Sequence, residues 1–311
     1  MERAEITRGQ LDIVATPIGN LEDLSPRAQR VLREADRILV EDRRHAQRLF
    51  QSIGLQPRTE PLHEHNEREQ IPRILAWLAA GEHLALISDA GMPLISDPGY
   101  PLVSELRRAG VRIAVIPGPS ALLAALALAG LPTDRFCFEG FLPAKSGARQ
   151  QRLQELAQET RTLVFYEAPH RILDTLQEMC DRFGAERGAV LARELTKLHE
   201  EGIGENLGEI LATLNAHPER QRGEMCLVVA GAAASAAAEA DLDQLLRPLL
   251  AELPLAQAVR IAEAQSALPH RRLYQRALAC ISSQTFGTSL AREECHAGST
   301  CRVPDPGVLP G

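Results

Sequence analysis

The chain has 311 residues, 45% of them hydrophobic and 24% charged, with 22 Gly and 20 Pro, a globular composition whose length suits about two domains. Aromatics make up only 4%, so an aliphatic core is expected. A formal net charge of −7 excludes a protein that coats nucleic acid over its whole surface, although a local basic patch stays open. All but Lys145 and Lys197 of the 34 basic residues are arginine, and because Arg does not replace Lys at every kind of site, those two positions stand out.

Residues 10–15 (QLDIVA) form an apolar strand that ends in the turn TPIGN. Ser25 then caps a helix that has Pro26 at its first position and runs to about Ala35. A second strand covers 37–41, and a helix from Glu67 to Ala80 stops at Gly81. Strand 83–88 leads into the glycine-rich DAGMPLISDPG, helix 101–109 stops at Gly110, and strand 111–116 runs into PGPSA. The helix over 119–129 is apolar nearly all round, which predicts burial. Short aliphatic strands alternating with helices give a βαβ series and a mostly parallel sheet. After Gly130-Leu131-Pro132 a second α/β set follows, with strands 135–141, 162–167, 188–193 and 224–230 and helices 149–159 and 169–183. Residues 232–240 (AAASAAAEA) read as a linker or a short solvated helix. Three helical patterns punctuated by Pro254 and Pro269 occupy 241–279, and disorder is expected over 280–311.

The expected division is therefore an N-terminal α/β domain (1–131), a second α/β domain (132–231), a helical module (241–279) and a tail (280–311). Six cysteines show no CxxC pair and no zinc spacing, and those in apolar runs read as reduced core thiols. MERAEITRG lacks an apolar stretch and the longest apolar run, 121–131, is too short for a membrane span, so a cytoplasmic protein is expected.

Chemistry in an open α/β sheet gathers outside the carboxyl ends of the strands. SDAGMPLISDPG (88–99) lies there, with Asp89 and Asp97 among turn-forming residues, and is either a backbone-lined ligand site or an ordinary βα turn. VIPGPSALLAA offers a helix N-terminus at Ser120 for an anion or polar ligand, unless Ser120 merely caps it. TPIGN has one glycine and is not a dinucleotide fingerprint, GIGENLG at 202–208 has the wrong spacing, and no phosphate-binding GxxxxGK[ST] loop exists. His63 and His65 lack a third metal ligand nearby, and no GxSxG elbow marks a hydrolase. Glu41-Asp42-Arg43-Arg44-His45, at a strand end, is either site chemistry or a solvated charge run.

ATPIGNLEDLSPRA, EDRRHAQRLF, LISDAGMPLISDPGYPLV, VIPGPSALLAAL, FEGFLP, LVFYEAPHRI and ARELTKLHEE occur in this order between about residues 10 and 279. Together they resemble the ribosomal RNA small subunit methyltransferase I family of the tetrapyrrole methylase superfamily. The resemblance implies an α/β protein with two domains of the tetrapyrrole methylase type, the cofactor cleft between them and a small C-terminal helical module. It implies S-adenosylmethionine as cofactor, and methyl transfer to the ribose 2′-hydroxyl of a cytidine in small-subunit (16S) ribosomal RNA. It also implies a homodimer acting on that RNA or on the assembled 30S subunit, with no membrane partner and no metal. Family cofactor contacts carry over onto Pro17, Ile18, Asp89, Met92, Ser120, Ala121, Tyr166, Glu167 and Met225. Met92 and Arg43 each stand where the family usually has Thr, and GIGENLGEI lacks an expected Arg-Gly.

A ribose hydroxyl is a weak acid, so a base or a cation that stabilises the developing alkoxide is required. Arg193, Glu194 and Lys197 are the catalytic candidates, with Asp97 and Glu167 as alternates; Arg193 and Lys197 share a face only if the segment is helical. RNA is held mainly through phosphates, for which Lys145, Arg149 and Arg152 form one basic run and Arg271 and Arg272, beside His270, Tyr274 and Arg276, another. The alternatives are a methyltransferase of a small tetrapyrrole-like metabolite and an inactive RNA-binding assembly factor.

Overall fold

The computed structural model describes residues 9–233, 236–266 and 268–281. They fall into two units, Met1–Ala232 and Ala233–Gly311.

The first unit holds two five-stranded sheets. In the first, β1 (Gln10–Val14), β2 (Arg37–Val40), β3 (Thr59–Pro61), β4 (His83–Ile87) and β5 (Arg112–Ile116) are all parallel, in the order β3-β2-β4-β1-β5. The helices between them are α1 (Pro26–Glu34), α2 (Arg43–Ser52), α3 (Glu67–Ala79) and α4 (Tyr100–Arg108). Ser25 caps α1 through its side chain with Pro26 next, as the sequence predicts. Helices on both faces bury the three central strands: Leu11, Val14, Ile38, Val40, Leu84 and Ala85 have no exposed surface. This is the sheet expected from the βαβ pattern. The pattern missed α2 and β3, because Arg43–Ser52 reads as a charge run; its N-cap is Asp42, whose carboxylate accepts from the Arg44 amide at 2.6 Å.

The second sheet combines β6 (Phe136–Phe141), β7 (Thr162–Glu167), β8 (Ala189–Arg193), β9 (Glu201–Ile203) and β10 (Met225–Val229) in the order β6-β7-β10-β8-β9. It is mixed: β6 and β7 are parallel, while β10 is antiparallel to β7 and β8, and β9 to β8. The helices α6 (Ser146–Leu156), α7 (Ile172–Phe183) and α8 (Leu207–Ala216) accompany it. Neither β9 nor α8 is visible in the hydropathy pattern. The glycines of GIGENLG conceal a helix start, where the Asn206 side chain accepts from the Glu209 amide at 2.9 Å.

The helix α5 (Ala121–Ala129) joins the two sheets. It follows β5 of the first sheet, yet Leu122, Ala125 and Leu126 pack with Val164, Ala192, Cys226 and Val228 of the second. The expectation that α5 is wholly buried fails: Leu123 is 58% and Leu128 42% exposed, because only one face meets the second sheet and β5 is an edge strand.

The second unit is described by itself. It contains α9 (Ala236–Glu252), α10 (Leu255–Gln265) and α11 (270–281) around Leu242, Leu246, Val259, Ala262, Leu273 and Ala277. Much of 232–240 is thus helical from Ala236, and the last helix continues two residues past the expected edge at 279. The tail from 282 onward lies outside the described residues. Cys137, Cys180, Cys226 and Cys280 are free thiols. Among the described residues no helix is long and apolar enough to cross a membrane, and no cluster of three or more His, Cys, Asp or Glu could hold a metal.

Candidate active site

The strands β1, β4 and β5 end side by side, and their loops are tied together. Thr16 and Gly91 exchange backbone hydrogen bonds of 2.8 and 3.1 Å, joining the turn after β1 to the loop after β4. That second loop, 88–99, folds back with positive φ at Gly91, Leu94 (74°), Ser96 (66°) and Gly99. Such angles cost a non-glycine residue on the order of 1 kcal/mol or more. The anchor that holds them is buried Glu67 at the start of α3, whose two carboxylate oxygens accept from the Gly99 amide at 3.2 Å and the Leu102 amide at 2.8 Å. In this way a carboxylate satisfies the N-terminal amides of α4.

Between these loops and the second sheet lies a cleft of about 560 Å3. Ile18, Met92, Ile95, Asp97, Ser120 and Ala121 line it from the first sheet and α5, and Phe141, Tyr166, Glu167, Glu194, Lys197 and Met225 from the second. Ser120 precedes α5 without a side-chain capping bond. Burial pushes the nearby Tyr166 phenol up to about 12, with the Leu122 amide pulling the other way.

The segment after β8 is a turn, not a helix, with Glu194 (φ 51°) and Thr196 (φ 65°) left-handed. The one-face argument for Arg193 and Lys197 therefore fails. Arg193 points away from the cleft: it bonds Glu201 at 2.8 Å and the Arg222 carbonyl at 2.6 Å, tying β8 to β9. Lys197 turns inward, its Nζ 2.9 Å from Glu194 Oε1 and 3.3 Å from Glu224 Oε2. Glu194 Oε1 also accepts from the Glu224 amide at 2.8 Å. Burial works against both charges. The Lys197 partnership nevertheless holds Glu194 below the usual carboxylate range, while Glu194 and Glu224 hold the Lys197 ammonium above its ordinary value. Two glycines make the room: a Cβ on Gly19 would come within 2.5 Å of the Lys197 side chain, and one on Gly223 within 2.5 Å of the Glu194 carboxyl.

Asp97 faces the same cleft from the first sheet under opposite conditions. Burial pushes its carboxyl up to about 6, with Ser88 pulling the other way and the charges of Glu41 and Asp89 adding to the rise. Glu167, the other alternate, is buried and engaged: Thr175 Oγ1 donates to it at 2.7 Å, and Arg171 lies 3.3 Å away.

Two expected cofactor residues do not line the cleft. Pro17, half-buried in the tied turn, is not part of the cleft lining. The Asp89 carboxylate accepts from the Asp42 amide at 3.2 Å and pairs with His45 at 2.7 Å, so only its neighbour Ala90 reaches the cavity. The charge run 41–45 is accordingly structural at Asp42, Arg43 and His45, with Arg43 donating to the Thr59 carbonyl at 2.8 Å. Of the basic residues, Lys145 is exposed ahead of α6 and Arg152 is paired with Glu139 and Glu155 at 2.7 and 2.8 Å. Arg149 is buried in a two-pronged pair with Glu178, Nε–Oε2 2.7 Å and Nη2–Oε1 2.8 Å, and cannot reach a phosphate. Arg271 is exposed and Arg272 half-buried on α11 of the second unit. Sequence reasoning missed Ile95 within the 88–99 loop that it marks, and it missed Phe141, Leu195 and Glu224, which strand pairing and not local pattern brings to the cleft.

Residues 10–211 match the sequence profile of the tetrapyrrole (corrin/porphyrin) methylases, and residues 236–280 that of the RsmI C-terminal HTH domain. The ribosomal RNA small subunit methyltransferase I of Pseudomonas aeruginosa is 50% identical over 276 residues, covering 88% of this chain and 98% of that protein. The protein of the same name from Escherichia coli O157:H7 is 47% identical over 278 residues, 89% of this chain and 97% of its own. Among solved structures, the methyltransferase CobJ superposes with a TM-score of 0.53 at 21% identity, over 72% of this chain and 95% of its own. Uroporphyrin-III-C-methyltransferase from Thermus thermophilus gives 0.52 at 22%, over 71% and 94%. At such identities these two structures speak for the fold alone.

Proposed function

Because the chain belongs to the tetrapyrrole methylase family and, within it, to the ribosomal RNA small subunit methyltransferase I family, we propose that it is an S-adenosylmethionine-dependent enzyme that methylates the ribose 2′-hydroxyl of a cytidine in small-subunit ribosomal RNA. The observation that carries this reading is the close relationship to the two rRNA enzymes over 97–98% of their length, helical unit included. Corrin and porphyrin methylases share the fold at far lower identity.

The residues of the cleft fit the cofactor. Apolar walls from Ile18, Met92, Ala121, Leu195 and Met225 suit its adenosine and its carbon chain. The unbonded side chain of Ser120 and the first amides of α5 suit its carboxylate. Met92 in place of a Thr removes a hydroxyl from this lining without closing it. When bound, S-adenosylmethionine supplies a methyl group already activated on a sulfonium.

What remains for the protein is to orient the acceptor oxygen and handle its proton. Lys197, kept cationic by Glu194 and Glu224, cannot serve as a base; it stabilises the negative charge that develops on the ribose oxygen. Glu194 acts through Lys197 and is a positioning residue. Asp97 takes the proton: it is ionised at neutral pH and more basic than an ordinary aspartate. Arg193 has no part in the reaction. RNA phosphates are met by Lys145, Arg152, Arg271 and Arg272, with the helical unit contributing the last two. Two copies associate in this reading, covering exposed Val115, Leu123 and Leu128, and sedimentation measures that directly.

The test is to incubate the full chain with labelled S-adenosylmethionine and small ribosomal subunits from cells lacking the enzyme, then to map the RNA by mass. One methyl on a cytidine ribose is expected. A methyl on a base, or none, overturns the reading.

A further inference from the structure

The chain has only seven Phe, three Tyr and one Trp; two of these rings, Phe141 and Tyr166, line one wall of the cleft, and a third, Phe138, packs against Tyr166. Phe138 and Tyr166 are edge-to-face with centroids 4.9 Å apart, and Phe141 is tilted against Tyr166 at 5.7 Å. Phe138 and Tyr166 pack into the apolar cluster beneath α5. Phe141 is different: it lines the cleft and is 57% exposed.

The backbone is shaped to put it there. In a regular strand, residues three apart point to opposite faces, so Phe138 and Phe141 should not both touch Tyr166. The pairing of β6 with β7 slips between Phe138 and Gly140: Phe138 pairs with Val164, Gly140 with Phe165 and Phe141 with Tyr166. This irregularity, with Gly140 at φ +62°, turns Phe141 onto the cleft face. Gly140 approaches the loop of the first sheet so closely that a Cβ would lie 3.0 Å from Ser96 Oγ. Ile95, next to it, is 37% exposed and lines the same cleft. A flat aromatic face held rigidly from behind and open in front, with an aliphatic side chain nearby, suits a planar ring.

We infer that Phe141 is the stacking platform for the base of the nucleotide being methylated, which enters the cleft unstacked from the RNA. The inference rests on the proposed rRNA reaction. A recessed cleft with reactive groups at Lys197 and Asp97 is out of reach of a ribose inside a helix, so the acceptor nucleotide is turned out of its stack. Stacking supplies affinity for any base, so Phe141 sets the presentation of the ribose and not the identity of the base. The adenine of the methyl donor is the other flat ring that could use this face, and the two are separable by experiment.

The variants are Phe141→Ala, Phe141→Leu and Phe141→Trp in the full chain, with melting used to check the fold. The readouts are KM for small subunits lacking the modification and the affinity for S-adenosylmethionine by calorimetry. Phe141→Ala should raise KM for subunits about tenfold and leave cofactor affinity unchanged. Phe141→Trp should stay within about twofold of the parent, and Phe141→Leu, apolar but not flat, should behave like Ala. If Ala does not fold, Leu against Trp decides the matter. An unchanged subunit KM, equal behaviour of Leu and Trp, or a loss of cofactor affinity in place of subunit affinity overturns the inference. A parent chain that transfers no methyl to subunits refutes the underlying reaction instead, which keeps the two failures apart.

Discussion

The two sheets of the first unit contribute to one cleft in different ways. The all-parallel sheet offers loops: the tied turns after β1 and β4, the start of α5, and one carboxylate, Asp97, within a strained segment. The mixed sheet offers fixed side chains, with Lys197 between Glu194 and Glu224 and the aromatic wall on Tyr166. The contrast is sharpest in their carboxylates. Burial raises Asp97 to about 6, whereas the Lys197 ammonium holds Glu194 low despite its own burial. Carboxylates driven apart by their surroundings take different roles in one reaction. In the proposed reaction the first sheet therefore supplies the proton acceptor and the second the fixed charge.

The largest effect that could break this division is at Asp97. Asp97→Asn should lower kcat by about a thousandfold while the chain still binds S-adenosylmethionine. In the parent, kcat/KM should fall as pH drops below about 6, because the protonated carboxyl cannot accept the ribose proton, and the variant should lose that limb. If the limb persists in Asp97→Asn, the base lies elsewhere. Next in size is Lys197→Ala, for which a loss of about a hundredfold in kcat is expected from removing one stabilising charge. Glu194→Gln should cost less, about tenfold, since Lys197 keeps its charge and Glu224. Equal losses in the two variants would mean that Glu194 does more than position Lys197.

The anchor of the first sheet's loop should show itself as stability. Glu67→Ala leaves the Gly99 and Leu102 amides without their partner and should cost about 2 kcal/mol in urea unfolding. Cofactor affinity should fall with it, because the 88–99 loop loses its fixed shape. No comparable buried anchor holds the turn after β8, where Glu200 accepts from the Thr196 amide at 2.5 Å in an exposed setting. A Glu67→Ala chain of parental stability would remove the distinction between a loop held from beneath and a turn held by its own charges.

The same contrast explains what could be read in the sequence. The parallel sheet writes its strands as aliphatic runs, and its ligand loops follow those strands directly, so 88–99 and Ser120 stand out locally. Asp97 belonged to that legible segment, although its burial did not. The second sheet assembles Lys197, Glu194 and Glu224 through antiparallel register, with Met225 opposite both Glu167 and Arg193. Nothing local in the sequence announces that register. Arg193 and Lys197 look alike as basic neighbours of Glu194, yet one closes a strand edge and the other faces the cleft. Arg149 misled for a related reason: its acid partner, Glu178, lies one helix away in α7.

The smallest effect concerns Asp89, which marks the outer edge of the parallel sheet's contribution. Its carboxylate accepts from His45 at 2.7 Å, and this bond, ahead of the two groups' charges, raises the ring's pKa in the folded chain. Asp42 adds to the rise, while partial burial and the nearby Arg48 oppose it. A pKa raised by folding stabilises the chain fully below the ring's unfolded value near 6.5, and that stabilisation is lost as pH rises through the folded value. The ring is 60% exposed and screened by solvent, so the gain is at most about 0.5 kcal/mol. His45→Ala should therefore lower the midpoint of urea unfolding slightly at pH 5.5 and not at pH 8.5, with cofactor affinity unchanged at both. A change in cofactor affinity would place Asp89 at the ligand after all and extend the first sheet's part of the site beyond the cleft lining.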